Sequence, residues 1–465
     1  MAPMPGWRSP IVRIRASLEY GTWPHTAVGA CCRMRTQRVD PRSRSRGRMT
    51  ARPADSSRLH VRRHGACRNR KHRHRILSGR NAARDHPQMV PLYFGPDGSV
   101  LPAGSRVRNP RYAATMRRLA ERGPSGLYDE DGAERWIAAA SSGHPTLATP
   151  DDLRGYRAEE RIPVCAPFLA YTVCTAPPPS FGGIVVLQIL QMVEARADGR
   201  YDFSDPAFAH LYLEAGRLAQ ADRRRYVGDP GFVDVPTHGL VANEYVRRRA
   251  QLIDPERAQS LLAPGSPAGI RTRGDSDTTD QHPATSQIAI VDRAGNALSV
   301  TTTINLNFGA RLMVDGYVLN NAMINFSPAP APDRPTANQM AGGKRPVSAM
   351  TPTIVFGPDG KPAVVGGAAG GGYIVDYVAA TLIELLANDR TPAEALARGH
   401  ISTAMPRTVR LERDTAAEAL APALAARGHT IEIAPMPSGL GFLKRSPAGW
   451  IGAADPRRDG SAEGR

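Results

Sequence analysis

The chain lacks long hydrophobic runs and has few aromatic residues. No stretch approaches 18 uncharged apolar residues, so we do not expect a transmembrane helix. Aromatic residues make up 6% and apolar residues 41% of the 465 positions, and the apolar share is slightly below the average for globular proteins. The length nevertheless suffices for one large α/β domain or for two to three ordinary domains.

Acidic residues are nearly missing from residues 1–88. This segment holds 21 Lys and Arg but only four Asp and Glu. It therefore carries the whole net charge of +17, and the rest of the chain is neutral. The charge balance consequently indicates one unusual segment rather than a basic protein, and we do not expect nucleic acid as a partner.

Residues 1–88 allow three interpretations: a nucleic-acid-binding arm, a solvated leader without regular structure, or a segment not native to this fold, such as an out-of-frame start. We favour the third interpretation. An amino-acid sequence rich in Arg, Ala, Gly and His without apolar periodicity is typical of GC-rich DNA translated in the wrong reading frame. Arg8, Arg13 and Arg15 interrupt any signal-peptide core. Cys31 and Cys32 are adjacent and Cys67 stands alone, so no zinc spacing is present.

Residues 89–284 read as mainly helical. Apolar spacing predicts helices over 111–120, 130–140, 184–192, 206–226 and 242–253, with Thr149 or Asp151 capping another. Cys165–Cys174 alternates as a strand or hairpin. We interpret its two cysteines as buried, unbonded residues in preference to a disulfide.

A polar run of about twenty residues, Leu262–Ala284, has almost no apolar pattern. A loop of that length inside a compact domain needs a function, such as a processing loop or an active-site lid. It ends at Thr285, where alternating apolar residues begin, and a turn at Gly295-Asn296 then predicts a hairpin. A Thr at this junction is either an ordinary strand residue or a nucleophile whose freed amine acts as its base once the preceding bond is cut.

Strands and glycine turns dominate beyond Thr285. The segments 353–356 and 363–366 predict strands, and Gly366–Gly372 then opens a helix over 373–387. A Gly-rich turn between strand and helix either presents free backbone amides to a ligand or is only a tight turn. Helices first and strands later suit an α/β fold with sheets sandwiched between helical layers.

Five motifs in this order resemble the γ-glutamyltransferase (γ-glutamyltranspeptidase) family of N-terminal-nucleophile hydrolases. They are Pro177–Gly183, Thr285-Ser286, Asn320-Asn321, Lys344–Ser348 and Gly370-Gly371. The resemblance runs from about Gly95 to the C-terminus. It implies a four-layer αββα sandwich whose N-terminal helical part is incomplete. It also implies a zymogen cut between Ala284 and Thr285 into a large-subunit-like region, 89–284, and a small-subunit-like catalytic region, 285–465.

The resemblance implies specific roles for matching residues. Thr285 is the nucleophile, and Thr303 supports its hydroxyl. Gly370 and Gly371 supply the oxyanion hole through their backbone N–H groups. Asn305 and Ser348 match residues that bind a γ-glutamyl group.

The substrate pocket departs from the family pattern. Asn325 stands where the family has an acidic residue, and Ala349 replaces the second of two pocket serines. Ala322 stands where the family has an amide or acidic residue. Gln287 stands where the family commonly has His. The Arg that clamps the substrate carboxylate has no match.

The resemblance thus predicts a γ-glutamyl amide hydrolase or transferase that acts on glutathione-type substrates. Water, an amino acid or a peptide accepts the acyl group, and no cofactor is needed. The cut chain forms a heterodimer of large and small subunits. The pocket changes keep two alternatives open: an inactive truncated relative, and an acylase for glutaryl-like groups without an α-amine. The family acts in the periplasm or outside the cell, but the compartment stays open because no signal peptide is found.

Overall fold

A computed structural model describes residues 87–464, apart from 103–104, 143–144, 261, 272–273, 280–283, 328–334 and 404–407. The expectations for residues 1–88 therefore lie almost wholly outside the described residues. The described chain forms two compact units. One unit comprises residues 158–306 and 321–464, and the other comprises 87–157 and 307–320.

The strands are β1 Val164–Phe168, β2 Tyr171–Thr175, β3 Ser286–Val291, β4 Ala297–Thr302, β5 Met313–Val314, β6 Tyr317–Val318, β7 Thr353–Phe356, β8 Pro362–Ala369, β9 Ile401–Ser402, β10 Thr408–Glu412, β11 Thr430–Ala434, β12 Gly439–Ser446 and β13 Gly449–Ala454. The helices are α1 Val90–Tyr93, α2 Pro110–Arg122, α3 Ser125–Tyr128, α4 Glu130–Ala140, α5 Pro150–Gly155, α6 Gly182–Glu194, α7 Pro206–Tyr226, α8 Thr237–Leu240, α9 Asn243–Ala250, α10 Ile374–Leu386, α11 Pro392–Ala397 and α12 Ala421–Ala426. Short 3₁₀ turns cover Ala322–Asn325, Gly371–Tyr373 and Ala416–Leu420.

An antiparallel six-stranded sheet organises the larger unit, in the order β1-β2-β7-β8-β12-β13. Two of its strands precede residue 285 and four follow it. The join between the two groups is the β2–β7 pair, in which Thr175 lies opposite Thr353. The predicted division of the chain at residue 285 therefore passes through one continuous sheet.

The two faces of this sheet carry different layers, as alternation along each strand requires. Val355 and Val364 face the helices α6 and α10, which are almost entirely buried. Ile354 and Val365 point the other way and pack against the inner face of the β3–β4 hairpin. On the outer face of that hairpin Ile288, Ile290 and Leu298 are exposed.

Local sequence signals set several helix boundaries. Thr149 begins α5 with a capping box, in which its hydroxyl accepts from the Asp152 amide and the Asp152 carboxylate accepts from the Thr149 amide. Asp205 caps the 21-residue α7. Among the described residues, no helix combines the length and apolar character needed to cross a membrane.

The smaller unit has its own apolar core. Leu127, Val314, Tyr317 and Leu319 form the core of the unit, against which the apolar faces of α2 and α4 pack. Asp315 accepts from Arg118 at 2.6 Å and pairs with Arg135 at 3.0 Å.

The prediction for the two cysteines of Cys165–Cys174 is wrong, because the structure has a disulfide between them. The predicted hairpin is present, and its register places Cys165 directly opposite Cys174 with 4.1 Å between their Cα atoms. Facing positions of an antiparallel pair bring the two sulfur atoms within bonding reach. The sequence pattern showed the strands but not their register, and the register decides the bond.

Two further differences concern glycine-rich segments. The strand predicted over 363–366 continues to Ala369, so the first half of Gly366–Gly372 is strand and only Gly370 onward forms the turn. Strand β12 was not predicted, since Gly439, Gly441 and the charged Lys444 give it little β propensity.

Candidate active site

The start of β3 lies close against β8 and β12 because those strands carry glycines there. A Cβ atom on Gly367 would lie 2.6 Å from the Gln287 side chain, and one on Gly441 would lie 3.7 Å from it. A larger residue at 367 would push the hairpin off the sheet. These glycines therefore bring the residue before β3, Thr285, over the end of β8.

Gln287, noted above as a departure from the family pattern, anchors the hairpin. Its side-chain oxygen accepts from the Thr301 hydroxyl at 2.6 Å, and its Nε2 donates to Ser299 Oγ at 2.9 Å. Ser299 in turn donates to the carbonyl oxygen of Gly366 at 2.7 Å. This chain of hydrogen bonds links both strands of the hairpin to the sheet beneath.

The predicted scissile bond is engaged by Thr303. The Thr303 hydroxyl donates to the carbonyl oxygen of Ala284 and accepts from the backbone N–H of Asn305 at 2.8 Å. Thr285 is buried, with 9% of its surface exposed. Because Ser286 pairs with Thr302 at the open end of the hairpin, Thr303 is placed next to the junction of Ala284 and Thr285. A donor on this oxygen polarises the carbonyl for attack.

Gly370 and Gly371 form the turn directly after β8. Their φ angles are 157° and 63°, values that favour glycine. A Cβ atom on Gly370 would lie 2.5 Å from the ring of Tyr377, so the position is closed to larger residues. Burial raises the pKa of Tyr377 well above its ordinary value, which keeps a neutral phenol beneath this turn.

The glycine turn and Thr285 lie at the same end of the sheet. Ala369, just before the turn, pairs with Gly439 on β12. The Arg458 side chain passes over Gly439, with its Cδ atom 2.9 Å from the position of a Cβ there, and donates to the carbonyl oxygen of Thr285 at 2.7 Å. The structure thus places Thr285, Thr303 and the glycine pair at the same end of the sheet.

Asn305 and Asn325, two of the predicted substrate residues, are both buried. Asn305 has a φ of 75°, and its Nδ2 lies 3.3 Å from the carbonyl oxygen of Asn321. The backbone carbonyl oxygen of Asn325 accepts from Asn338 Nδ2 at 2.8 Å. The side-chain oxygen of Asn325 is buried and accepts no hydrogen bond from the residues that the structure describes. A donor to this oxygen is therefore missing among them.

Ser348 and Ala349 lie beside the Pro177–Gly183 segment. The Ser348 carbonyl accepts from the Ser180 hydroxyl at 3.0 Å and from the Phe181 amide at 2.9 Å, while Ser348 Oγ accepts from the Met350 amide at 3.1 Å. Ala349 is 3% exposed. No described hydrogen bond joins either residue to Thr285, so the structure brings them together with each other but not directly with the nucleophile.

Two residues of this region were missed by sequence reasoning. One is Arg458. The other is Asp277, which is buried in the polar loop before the predicted cut and accepts from the Thr279 amide at 2.9 Å, from Ser327 Oγ at 2.9 Å and from Asn338 Nδ2 at 3.0 Å. The Asp277-X-Thr279 spacing is a local turn signal that could have been noticed. The two distant partners had no sequence signal.

The described ranges contain no group of three or more His, Cys, Asp or Glu side chains that could hold a metal ion. The residues at the site offer hydroxyls, backbone amides, one guanidinium and the amine that a cut before Thr285 would free. This set fits acyl transfer by a Thr nucleophile.

Comparison with known proteins gives the family. The model of the gamma-glutamyltranspeptidase family matches residues 60–465. The chain belongs to the γ-glutamyltranspeptidase family. The predicted resemblance to this family of N-terminal-nucleophile hydrolases is thereby confirmed.

Two relatives of the chain are named for different activities. The chain is 32% identical over 377 residues to the glutathione hydrolase proenzyme of Escherichia coli (strain K12). The match covers 78% of this chain and 63% of that protein. The chain is 31% identical to the acylase ACY 1 proenzyme of Pseudomonas sp. (strain SE83), covering 79% of this chain and 63% of the relative. The chain spans less than two thirds of the length of either relative.

A solved structure supports the fold of this family member. The cephalosporin acylase from Bacillus halodurans matches with a TM-score of 0.69 and 25% identity, over 80% of this chain and 66% of that one. The predicted α/β sandwich of the N-terminal-nucleophile hydrolase type is confirmed. The roles of the individual site residues stay predictions.

Proposed function

We propose that this γ-glutamyltranspeptidase family member cuts its own chain between Ala284 and Thr285 and then hydrolyses or transfers the acyl group of γ-glutamyl amides. The observation that carries the proposal is the hydrogen bond from the Thr303 hydroxyl to the Ala284 carbonyl oxygen, at the bond that the sequence motifs mark for cleavage. Family membership and the relative called a glutathione hydrolase proenzyme support the same reaction class.

The cut follows an acyl shift within the chain. Thr285 Oγ attacks the carbonyl carbon of Ala284, and Thr303 stabilises the oxyanion that develops. The C–N bond breaks, leaving an ester between Ala284 and Thr285 Oγ, and its nitrogen takes up the proton lost by the hydroxyl. Water then hydrolyses the ester, which releases the Ala284 carboxylate and restores the Thr285 hydroxyl beside the α-amine freed by the acyl shift.

Turnover repeats this chemistry on an external amide. The Thr285 α-amine accepts the hydroxyl proton as Oγ attacks the substrate carbonyl, and the N–H groups of Gly370 and Gly371 hold the oxyanion. The substrate amine leaves with the proton. Water, an amino acid or a peptide then takes the acyl group from Thr285. The two pieces of the chain stay together as a large and small subunit, because β2 and β7 pair across the cut.

An acylase for glutaryl-like groups is a second candidate, and Asn325 favours it. This residue is buried and neutral where the family pattern has an acidic side chain. Losing the charge partner of a substrate ammonium costs on the order of 1–3 kcal/mol of binding if the site is partly buried. Relatives named as acylases support this alternative.

The test is to purify the chain and follow its cleavage by gel and mass spectrometry. The wild type is expected to give two fragments that meet at Thr285, T285S to give them more slowly, and T285A to stay whole. A wild-type chain that stays uncut, like T285A, would refute the proposal and indicate an inactive relative.

If cleavage occurs, release of a chromogenic amine from a γ-glutamyl anilide and from a glutaryl anilide separates the two substrates. A clear preference for the γ-glutamyl anilide supports the first candidate. Equal rates of amine release from the two anilides, or faster release from the glutaryl anilide, support the second candidate. The site then does not recognise the α-amine of the substrate.

A further inference from the structure

The segment after β13 reaches back to the candidate nucleophile through Arg458. Arg458 Nη1 donates to the carbonyl oxygen of Thr285 at 2.7 Å, although the two residues are 173 positions apart. The side chain crosses β12 at Gly439, where the absence of a Cβ leaves it room. Arg458 thus holds the carbonyl of the residue whose hydroxyl and amine would do the chemistry.

Arg457 anchors the backbone from which Arg458 extends. Its guanidinium donates to both carboxylate oxygens of Glu412 at 2.6 Å and to the carbonyl oxygens of Leu396 and Arg398 at 2.8 Å. Two neighbouring arginines therefore have different tasks: Arg457 fixes the segment, and Arg458 reaches Thr285. A side chain that starts from a fixed backbone loses less freedom when it makes its hydrogen bond.

The charged residues around Arg458 come from its own segment, in which Asp455, Arg457 and Asp459 flank it. The stretches that face the start of β3 are Gly366–Ala369 on β8, Gly439–Gly441 on β12 and the Thr301–Thr303 end of β4, and none contains a charged residue. Asp455, also near β12, accepts from Ser438 and from the Leu440 amide and pairs with Arg457. Within the described ranges, Arg458 is the charged side chain seen to contact Thr285; residues 280–283 lie outside them.

We propose that Arg458 is a positioning residue that orients Thr285 and keeps its freed α-amine neutral. The proposal rests on the proposed function of Thr285. Holding the carbonyl fixes the rotation of the residue and hence the direction of its hydroxyl. Covalent geometry places the α-nitrogen within about 6 Å of the guanidinium. A cation at that distance lowers the pKa of an amine, so the amine is free to accept a proton at neutral pH.

The test uses the full chain with R458Q and R458K, and with R445Q as matched control. Arg445 lies near the far end of β12 and pairs with Asp359 at the surface. R458Q is expected to slow self-cleavage about 10- to 100-fold, because a hydrogen bond from a charged donor is lost. After cleavage it is expected to raise the apparent pKa of the acid limb of kcat/KM by about 0.5–2 units, the range for one charge at 6 Å in surroundings between water and a protein surface.

R458K keeps the charge and is expected to leave the acid limb near the wild-type position while cleaving more slowly. R445Q is expected to match wild type in both measurements. Thermal melting of every variant checks the fold, and R458K decides the question if R458Q does not fold. Cleavage rates and pH profiles of the folded Arg458 variants that equal those of R445Q would overturn the role of Arg458. An uncut wild type would instead refute the proposed function.

Discussion

Replacing Thr303 by Val tests the candidate site most directly. Val has nearly the same shape as Thr but lacks the hydroxyl that donates to the Ala284 carbonyl and accepts from the Asn305 amide. Removing one donor to a developing oxyanion typically slows an acyl transfer about 10²–10³-fold, or about 2.7–4 kcal/mol in the barrier. We therefore expect T303V to cleave its own chain two to three orders of magnitude more slowly than wild type.

The folded state should survive this change. The Asn305 amide loses its acceptor, and an unsatisfied buried N–H costs about 1–3 kcal/mol, which is less than the stability of an ordinary domain. Cleavage is followed by gel densitometry after the chain is refolded from denaturant, and thermal melting reports the fold. T303S keeps the hydroxyl and serves as the rescue, while T430V, at an exposed position of β11, is the matched control.

T303V that melts like wild type and cleaves at the wild-type rate would refute the reasoning, since the hydrogen bond seen at the scissile carbonyl would then play no part. Slow cleavage in T430V as well would show that a general effect of Thr-to-Val substitution, and not the Thr303 hydroxyl, is responsible.

Two further predictions concern the glycine turn and pH. G370A places a Cβ 2.5 Å from the Tyr377 ring and is expected to lower turnover about 10²-fold by displacing an amide by about 1 Å. G360A, at another glycine of positive φ but with open space around it, should not lower turnover, and Y377L should partly rescue G370A. Turnover of G370A equal to that of G360A would contradict the role of Gly370. Burial, together with His210, Arg217 and Arg427, lowers the pKa of His429 to about 3. The unfolded chain therefore binds a proton below pH 6.5 that the folded chain excludes, and the contribution of His429 to stability should fall by about 2 kcal/mol between pH 8 and pH 5. Urea unfolding of T285A and T285A/H429Q checks this, with H238Q as control, and equal pH dependence in both chains would rule it out. Asp376 works in the opposite direction, because burial raises its pKa to about 6.

Local signals predicted the larger part of the fold. Helices α4 and α7 and strand β7 have the predicted bounds, because periodicity, caps and turns lie within a few neighbouring residues. The hairpin of β3 and β4 was likewise predicted from alternation and a Gly-Asn turn. Strand β12 escaped because its glycines serve close packing of another layer, and this demand is not local.

The candidate site shows the same limit. Thr285, Thr303 and the glycine pair were predicted because they lie within ordered motifs. Arg458 was not, because nothing in the sequence near it refers to a residue 173 positions earlier. The disulfide of Cys165 and Cys174 depended on strand register, which alternation alone does not determine.

The pairing of β2 with β7 across the proposed cut has a consequence for folding. The proposed cut draws on Thr303 and Arg458, so the chain would cut itself only after these distant parts have met. Before the cut, folding is a first-order reaction of one chain. After it, the two interleaved pieces would have to find each other in solution, so refolding becomes dependent on concentration. Self-cleavage would thus take place only once folding is complete. The cut protein would then refold with difficulty after unfolding.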